Sequence, residues 1–465
     1  ATIGDPNTVG ALLSAGTNRT TIIPRFNEPK RTWRISMEHF YTTGPQAPER
    51  DYAVANADDV ELVGVETVAS RALPTAGKTG ETYSSDGQGG RILPIDGSKN
   101  HALDVPSDVA PRFADPGYGY LFEYSRGKKC LIFANSREEA EGITTSLRSY
   151  CELRHEPDRF LIHHGNLSST YRETAEELMK DDSFDLTTVT TATLELGIDI
   201  GKLERAFQVD APFTVSSFLQ RMGRTGRRDL PPEMWFVMRE EEPEPRSLMP
   251  DTIPWKLLQG IALVQVYTEE KWVEPPRLDR LPYSLLYHQT MSTLASCGEL
   301  SPAQLAECVL SLAYFHRISL DDYRVLLRHL LGTDQIQATE AGGLIVGLAG
   351  ERITNSFKFY AVFQDDEEFS VRCESQELGT VVLPPPPGER LAIAGHVWLV
   401  EEIDRKRHLV YVSKVKGKVP AYFGECAGDI NTKILERMRL ALCESHYYPY
   451  LMTNARARLS LARRV

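Results

Sequence analysis

Close cysteine pairs are missing from this 465-residue chain: its seven cysteines, scattered from Cys130 to Cys443, form no CxxC. That excludes a disulfide framework and a clustered zinc site, predicts reduced cytoplasmic thiols and leaves no metal-binding residues to name. No apolar run approaches the roughly 20 residues that cross a bilayer, and no signal peptide is visible, so no membrane partner is expected. Excess positive charge is missing too, with 52 Lys and Arg against 64 Asp and Glu and a net charge of -12. Affinity for nucleic acid without sequence preference comes from cations displacing counterions, so a chain that coats nucleic acid is excluded and any such binding must be local. The remaining composition, 42% hydrophobic and 25% charged, is that of a globular chain of about three domains.

Against these absences stands Gln220-Arg221-Met222-Gly223-Arg224-Thr225-Gly226-Arg227, in which glycines interleave three arginines. Guanidinium groups are permanently charged planar donors suited to phosphate oxygens, and the glycines permit tight turns, so the octet has the makings of a triphosphate clamp. It follows Leu194-Glu195-Leu196-Gly197-Ile198-Asp199-Ile200 by about twenty residues. Upstream, Cys130-Leu131-Ile132-Phe133-Ala134 is an apolar run closed by Asn135-Ser136-Arg137 and followed by a helix over Glu138 to Tyr150. Phe160 to His163 ends in His164-Gly165-Asn166-Leu167-Ser168, where Ser168 or Ser169 caps a helix to Met179. Strands over Leu186 to Thr191 and Ala206 to Val209 follow, then a helix carrying Gln220 to Arg227. Buried strands alternating with helices predict an α/β fold with a doubly wound parallel sheet, whose ligands bind at the carboxyl ends of the strands.

The ordered set resembles motifs IV, V and VI on the second RecA-like lobe of a superfamily-two helicase. That resemblance implies that Arg224 and Arg227 are catalytic arginine fingers, a device that contributes on the order of a thousandfold or more in rate. It places Gln220, Arg221, Gly197 and Asp199 at the nucleotide, with Asp199 on the ribose and Gln220 bridging to the nucleic acid. It places Asn135, Ser136, Arg137, His164, Gly165, Thr191 and Thr193 on the strand. On position alone, Glu195 and Asp199 suit solvated loop acids equally well.

A helicase also needs GxxxxGK[ST] and an Mg²⁺-binding acidic motif on its first lobe. Leu73-Pro74-Thr75-Ala76-Gly77-Lys78-Thr79 comes near this pattern but has Ala72 where the first glycine belongs. A Gly- and Ser-rich stretch to Gly90 follows it instead of a helix, so the backbone cradle that holds phosphate is absent and a surface insertion is expected. Ala1-Thr2-Ile3-Gly4-Asp5-Pro6 is similar to the end of motif III. The expectation is an upstream first RecA-like lobe that holds most of the ATP and Mg²⁺, without which these residues turn over no ATP.

Composition shifts divide the chain. Residues 1-15 end the first lobe; 16-108 are an insertion, partly flexible, with a strand-like piece at Thr32 to Tyr41; 109-239 are the second lobe; and 240-254 are a Pro- and Glu-rich linker. Helices over Trp255 to Thr268, Ser284 to Ser296, from Ser301-Pro302, and from Ser319 through Leu331, then a hairpin over Ile336 to Gly350, predict a winged-helix domain at 255-350, or else a plain helical bundle. Residues 351-425 carry short strands at Phe359 to Phe363, Phe369 to Cys373, Gly379 to Leu383, Arg390 to Ile393, Val397 to Ile403 and Leu409 to Val415, a small β-rich or barrel-like domain. A helical tail occupies 426-465. Arg405, Lys406, Arg407, Lys414, Lys416 and Lys418 suit a solvated hairpin or a strand contact, and Trp398 is expected in the core.

Trp255-Lys256-Leu257-Leu258-Gln259, Trp272-Val273-Glu274-Pro275-Pro276, His288-Gln289 and Gly395-His396-Val397-Trp398, placed after the lobe, are similar to the core of Lhr-family helicases over roughly Val109 to Gly424. The resemblance implies ATP-driven movement along single-stranded or partly duplex DNA in the 3′-to-5′ direction, with RNA possible. A non-catalytic nucleic-acid-binding or adaptor module that keeps the lobe as scaffold is the alternative.

Overall fold

The computed structural model describes residues 4-14, 22, 33-42, 92-94, 115-195, 203-226, 231-244, 246-277, 280-360, 368-416 and 429-464. The phosphate-loop-like stretch at Leu73 to Thr79 lies outside the described residues, as do Ala1 to Ile3. Two compact units divide the chain. One comprises Ala1–Thr2, Glu28–Val273 and Glu367–Val465, the other Ile3–Asn27 and Glu274–Asp366.

A short helix α1 (Pro6–Ser14) belongs to the second unit. The first unit is built on β1 (Trp33–Thr42), β2 (Ile92–Pro94), β3 (Cys130–Phe133), β4 (Phe160–His163), β5 (Thr187–Thr190), β6 (Arg205–Val209) and β7 (Glu233–Glu241). These form one parallel sheet of seven strands in the order β2-β1-β7-β6-β3-β5-β4. Interleaved with them are α2 (Pro116–Tyr124), α3 (Arg137–Leu153), α4 (Ser169–Lys180), α5 (Val215–Met222) and α6 (Trp255–Glu270). Period-two alternation sends neighbouring side chains to opposite faces. Leu131 and Phe133 join one core with Val215, Phe218 and Ile261, while Cys130 and Ile132 join the other with Leu121, Ala140 and Ile143. Both faces are therefore covered by helices, which is why β3 reads as a continuous apolar run.

Three boundaries differ from the sequence reading. The strand-like piece inside the expected insertion is β1, which pairs with β7 from Arg34↔Glu233 to Thr42↔Glu241. Its Ile35 and Met37 enter one core and its Phe40 the other, so burial on both faces draws it into the sheet. The helix assigned to the start of the winged-helix domain, α6, buries Leu257, Leu258 and the run Ile261 to Val264 in the lobe core. The helical tail, α11 (Thr432–Cys443) and α12 (Thr453–Ala462), also returns to the lobe. Backbone bonds join Met37 N to Tyr450 O and Met452 N to Met37 O, each 2.9 Å, and Arg437 donates to both oxygens of Glu269 at 3.0 and 2.8 Å.

The second unit holds α7 (Tyr283–Cys297), α8 (Pro302–Leu310), α9 (Leu320–Gly332), the hairpin β8 (Ile336–Ala338) and β9 (Leu344–Val346), and α10 (Leu348–Thr354). Ser301 and Gln304 form a capping box, and the Ser319 hydroxyl accepts from Asp322 N at 3.1 Å, so both helix starts fall where the serines predict them. Leu300, between α7 and α8, bridges Leu344 of β9. The hairpin is shorter than expected because α10 occupies the residues after Gly347.

Within the first unit, β10 (Phe369–Cys373), β11 (Gln376–Val381), β12 (Arg390–Ile393), β13 (His396–Asp404) and β14 (Leu409–Lys414) make a mixed sheet ordered β11-β10-β14-β13-β12, with β10 and β14 parallel. Trp398 is 6% exposed and its indole N–H donates to Ile393 O at 2.8 Å, which makes it core. Of the strand expected at Phe359 to Phe363, the described residues Phe359 and Tyr360 instead end a 3-10 turn, Phe357–Tyr360, whose Phe359 packs in the second unit; 361-363 lie outside the described residues.

Candidate nucleotide and nucleic-acid interface

At the carboxyl ends of β3, β5 and β6, side chains from three segments converge on Arg221. Its Nε donates to Glu195 Oε1 at 2.7 Å, and its Nη1 donates to Gln208 Oε1 at 2.6 Å and to Asn135 Oδ1 at 3.2 Å. The guanidinium lies 5.3 Å from the Phe133 ring centroid, and the residue is 5% exposed. The acceptors are themselves fixed, Asn135 donating to Ala211 O at 2.9 Å and Gln208 to Val209 O at 2.8 Å. Burial pulls the Arg221 pKa down and the Glu195 carboxylate opposes that shift, so the cation is held by one charge and two amide oxygens.

Arg221 was expected at the nucleotide and Asn135 at the strand; the structure buries Arg221 in the lobe and leaves Asn135 half-buried, its amide bonded to Ala211 O and its oxygen accepting from Arg221. Val215, Phe218, Arg221 and Met222 are the buried residues of α5. Helical spacing thus turns Arg221 toward the core. The same pairing decides the role of Glu195, which is a buried counterion rather than a solvated loop acid. Gln208 was not singled out from the sequence. Its signal was a lone amide inside the apolar run Ala206-Phe207-Gln208-Val209.

The octet is helical only as far as Met222; Gly223 ends α5 and Arg224 follows in a turn. That turn is fixed twice. Thr225 Oγ1 accepts from Glu233 N at 2.8 Å and donates to Glu233 O at 3.0 Å. Gly226 has φ +75°, and a Cβ there would lie 2.3 Å from Pro232 N, so no other residue fits without moving the strand entry. Gln220 and Arg224 are half-buried at the lobe surface, the former donating to Ser216 Oγ at 3.1 Å. Arg227, Gly197 and Asp199 lie outside the described residues.

The expected strand contacts separate into inward and outward groups. Ser136 caps α3, its hydroxyl accepting from Glu139 N at 3.0 Å, while Arg137 is exposed. Thr191 is half-buried. Thr193 Oγ1 sits 2.8 Å from His163 Nδ1 and 3.2 Å from Thr190 Oγ1, and His163 Nε2 is 3.0 Å from Glu176 Oε1. Gly165 is exposed, but His164 is 2% exposed and its Nε2 lies 2.9 Å from Glu141 Oε1, which encloses a ring that was expected at the strand.

The basic residues do not gather. Arg405, Lys406 and Arg407 occupy the β13-β14 turn, where Lys406 N and Arg407 N donate to Asp404 Oδ1 at 3.0 and 3.1 Å. Lys414 ends the six-residue β14, about 17 Å away at the usual strand rise. Glu401 and Glu402 are exposed on β13, which pairs with β14, and Lys418 lies outside the described residues. Among the described residues no group of three or more His, Cys, Asp or Glu side chains is placed to hold a metal ion.

Residues 118-229 match the helicase conserved C-terminal domain. The ATP-dependent helicase Lhr-Core of Sulfolobus acidocaldarius is 26% identical over 330 residues, which cover 66% of this chain and 35% of that protein. The ATP-dependent helicase Lhr-Core of Methanothermobacter thermautotrophicus is 35% identical over 98 residues, covering 21% of this chain and 11% of that protein. Among solved structures, the Mycobacterium smegmatis helicase Lhr bound to ssDNA and AMP-PNP has a TM-score of 0.51 at 19% identity, covering 79% of this chain and 38% of that one, a likeness of fold. The chain spans well under half the length of each of these proteins.

Proposed function

We propose that this chain, which belongs to the Lhr family of superfamily-two helicases, is the part of an ATP-driven nucleic-acid translocase that completes the nucleotide site and grips the strand. The observation that carries the proposal is the Arg221 junction, which ties the segment before Arg224 to the loops after β3 and β5 through bonds of 3.2 and 2.7 Å, and to Gln208 of β6 at 2.6 Å. A displacement of the arginine turn by nucleotide is thereby passed to the loops that bear Arg137, Thr191 and Thr193. ATP is held between an upstream RecA-like lobe, which supplies the Mg²⁺ ligands, and this lobe. Closure brings Arg224 and Arg227 to the γ-phosphate, where their positive charge offsets the charge developing on the transferred group. Gln220 and Asp199 complete the nucleotide contacts. Reopening after hydrolysis lets the Thr191 and Thr193 region and the exposed Gly165 take hold further along the strand.

The substrate of this reading is single-stranded DNA, with 3′-to-5′ movement and duplex unwinding ahead. The order α7, Leu300 bridge, α8, α9, β8, β9 suits the winged-helix reading of this segment, and with it a duplex-facing role for the second unit. The test is ATP hydrolysis by the full-length protein against a panel of DNA and RNA strands. Single-stranded DNA is expected to raise the rate by at least about tenfold, RNA less. Hydrolysis that ignores every strand, or none at all, favours the scaffold reading.

A further inference from the structure

Gly165 is exposed, and a Cβ built on it would meet nothing within 4 Å. Both of its neighbours are tied to the β10-β14 sheet, more than two hundred residues further along the chain. On one side, the buried Glu141 carboxylate accepts from His164 Nε2 at 2.9 Å, from Ala394 N at 2.7 Å and from Gly395 N at 2.6 Å. Ala394 and Gly395 form the β12-β13 turn, with φ of 55° and 71°. The same turn is held from its carbonyl side, Arg148 Nη1 donating to Ala394 O at 3.2 Å and to Gly395 O at 2.9 Å. The left-handed φ of Gly395 favours glycine, and a Cβ there would stand 2.3 Å from that Nη1, so any other residue would displace the Arg148 side chain. On the other side, Thr380 N donates to Asn166 O at 2.7 Å and Ser168 N to Leu378 O at 3.2 Å. Leu167 bridges Gly379, which adds the loop as an extra strand on the edge of β11.

We infer that Glu141 and Arg148 are positioning residues through which the β domain presents the exposed Gly165 backbone to the nucleic-acid strand, so that this domain sets strand affinity without touching the nucleotide. The inference rests on the reading that the 164-168 loop faces the strand. The physical ground is satisfaction of buried polar groups. A carboxylate 3% exposed must keep donors, and His164, Ala394 and Gly395, which supply them, belong to the loop and the turn, so neither can move without leaving charge unpaired. Loop and β domain are thereby one mechanical piece. A loop set by its own short-range contacts would need no partner more than two hundred residues away, and α3, which carries Glu141 and Arg148, would have no reason to bury a carboxylate.

The experiment uses the full-length protein with Glu141→Gln, which replaces one acceptor by a donor facing donors, and Arg148→Met, which spares the carboxylate. Two quantities are read. Amide hydrogen exchange over 164-168 and 378-380 is expected to quicken by about tenfold or more in both variants while β3 and β6 keep wild-type protection. The strand concentration that half-saturates ATP hydrolysis is expected to rise by about tenfold with kcat at saturating strand within about twofold of wild type. Unchanged exchange in both variants overturns the inference, and so does quickened exchange with unaltered half-saturation. A fall in kcat with no change in half-saturation also overturns it, by placing the defect in general stability. A wild-type protein whose hydrolysis ignores strands refutes the translocase reading instead, and the exchange measurement tells the two failures apart.

Discussion

Arg224→Ala in the full-length protein lowers strand-stimulated ATP hydrolysis by about a thousandfold and leaves single-strand affinity within a few-fold. The expectation comes from where the residue stands. Arg224 follows the end of α5 and is half-buried at the lobe surface, held between the buried Arg221 on one side and the Thr225-Glu233 bonds on the other. With the chain anchored on both sides of it, Arg224 has less backbone freedom to lose on meeting phosphate, and donors placed in advance are those that stabilise developing charge most strongly. Because the side chain meets the nucleotide and not the strand in this account, the defect belongs in kcat. Steady-state hydrolysis at saturating strand, beside an anisotropy titration with labelled single strand, reads both halves. A variant that hydrolyses ATP at the wild-type rate removes Arg224 from the transition state.

Arg221→Met is expected to destabilise the lobe by about 3 to 5 kcal/mol, because it leaves the Glu195 carboxylate buried without its cation. The side chains of the pair are 6% and 9% exposed, so solvent does little to screen the loss. Combining Arg221→Met with Glu195→Gln removes the stranded charge and is expected to recover most of the stability, which separates a charge effect from a packing effect. Urea midpoints of the single and double variants measure it. A single variant within about 1 kcal/mol of wild type would show the junction to be ornamental to the fold. In that case the proposed transmission from the arginine turn to the strand loops would lose its structural basis.

These two arginines, three residues apart, show what the sequence carried and what it withheld. The parallel sheet was legible because Cys130 to Phe133, buried on both faces, reads as an unbroken apolar run, and Ala206 to Val209 as one interrupted only by Gln208. Helix starts at Ser301 and Ser319 were legible because a cap is a local chemical event. The orientation of Arg221 was not, since a motif states residue types and leaves unstated which face of a short helix meets the core. The spacing Val215, Phe218, Met222 contains that information, but only once the apolar stripe is given precedence over the phosphate chemistry of arginine. His164 was misplaced for a different reason. Its partner Glu141, and the turn at Ala394 and Gly395 that shares the carboxylate, are assembled by long-range packing, and nothing near His164 in the chain announces them. The same limit hid the membership of β1 and of the tail in the lobe, because both reach it across long stretches of chain.

The central claim, that this chain belongs to an ATP-driven translocase on single strands, is tested most directly by displacement of streptavidin from biotinylated oligonucleotides by the full-length protein. Movement in the 3′-to-5′ direction predicts ATP-dependent release from a 5′-biotinylated single strand, with little release from the 3′-biotinylated strand and none with a non-hydrolysable ATP analogue. Release that needs no hydrolysis, or no release from either end while ATP is being consumed, would contradict it.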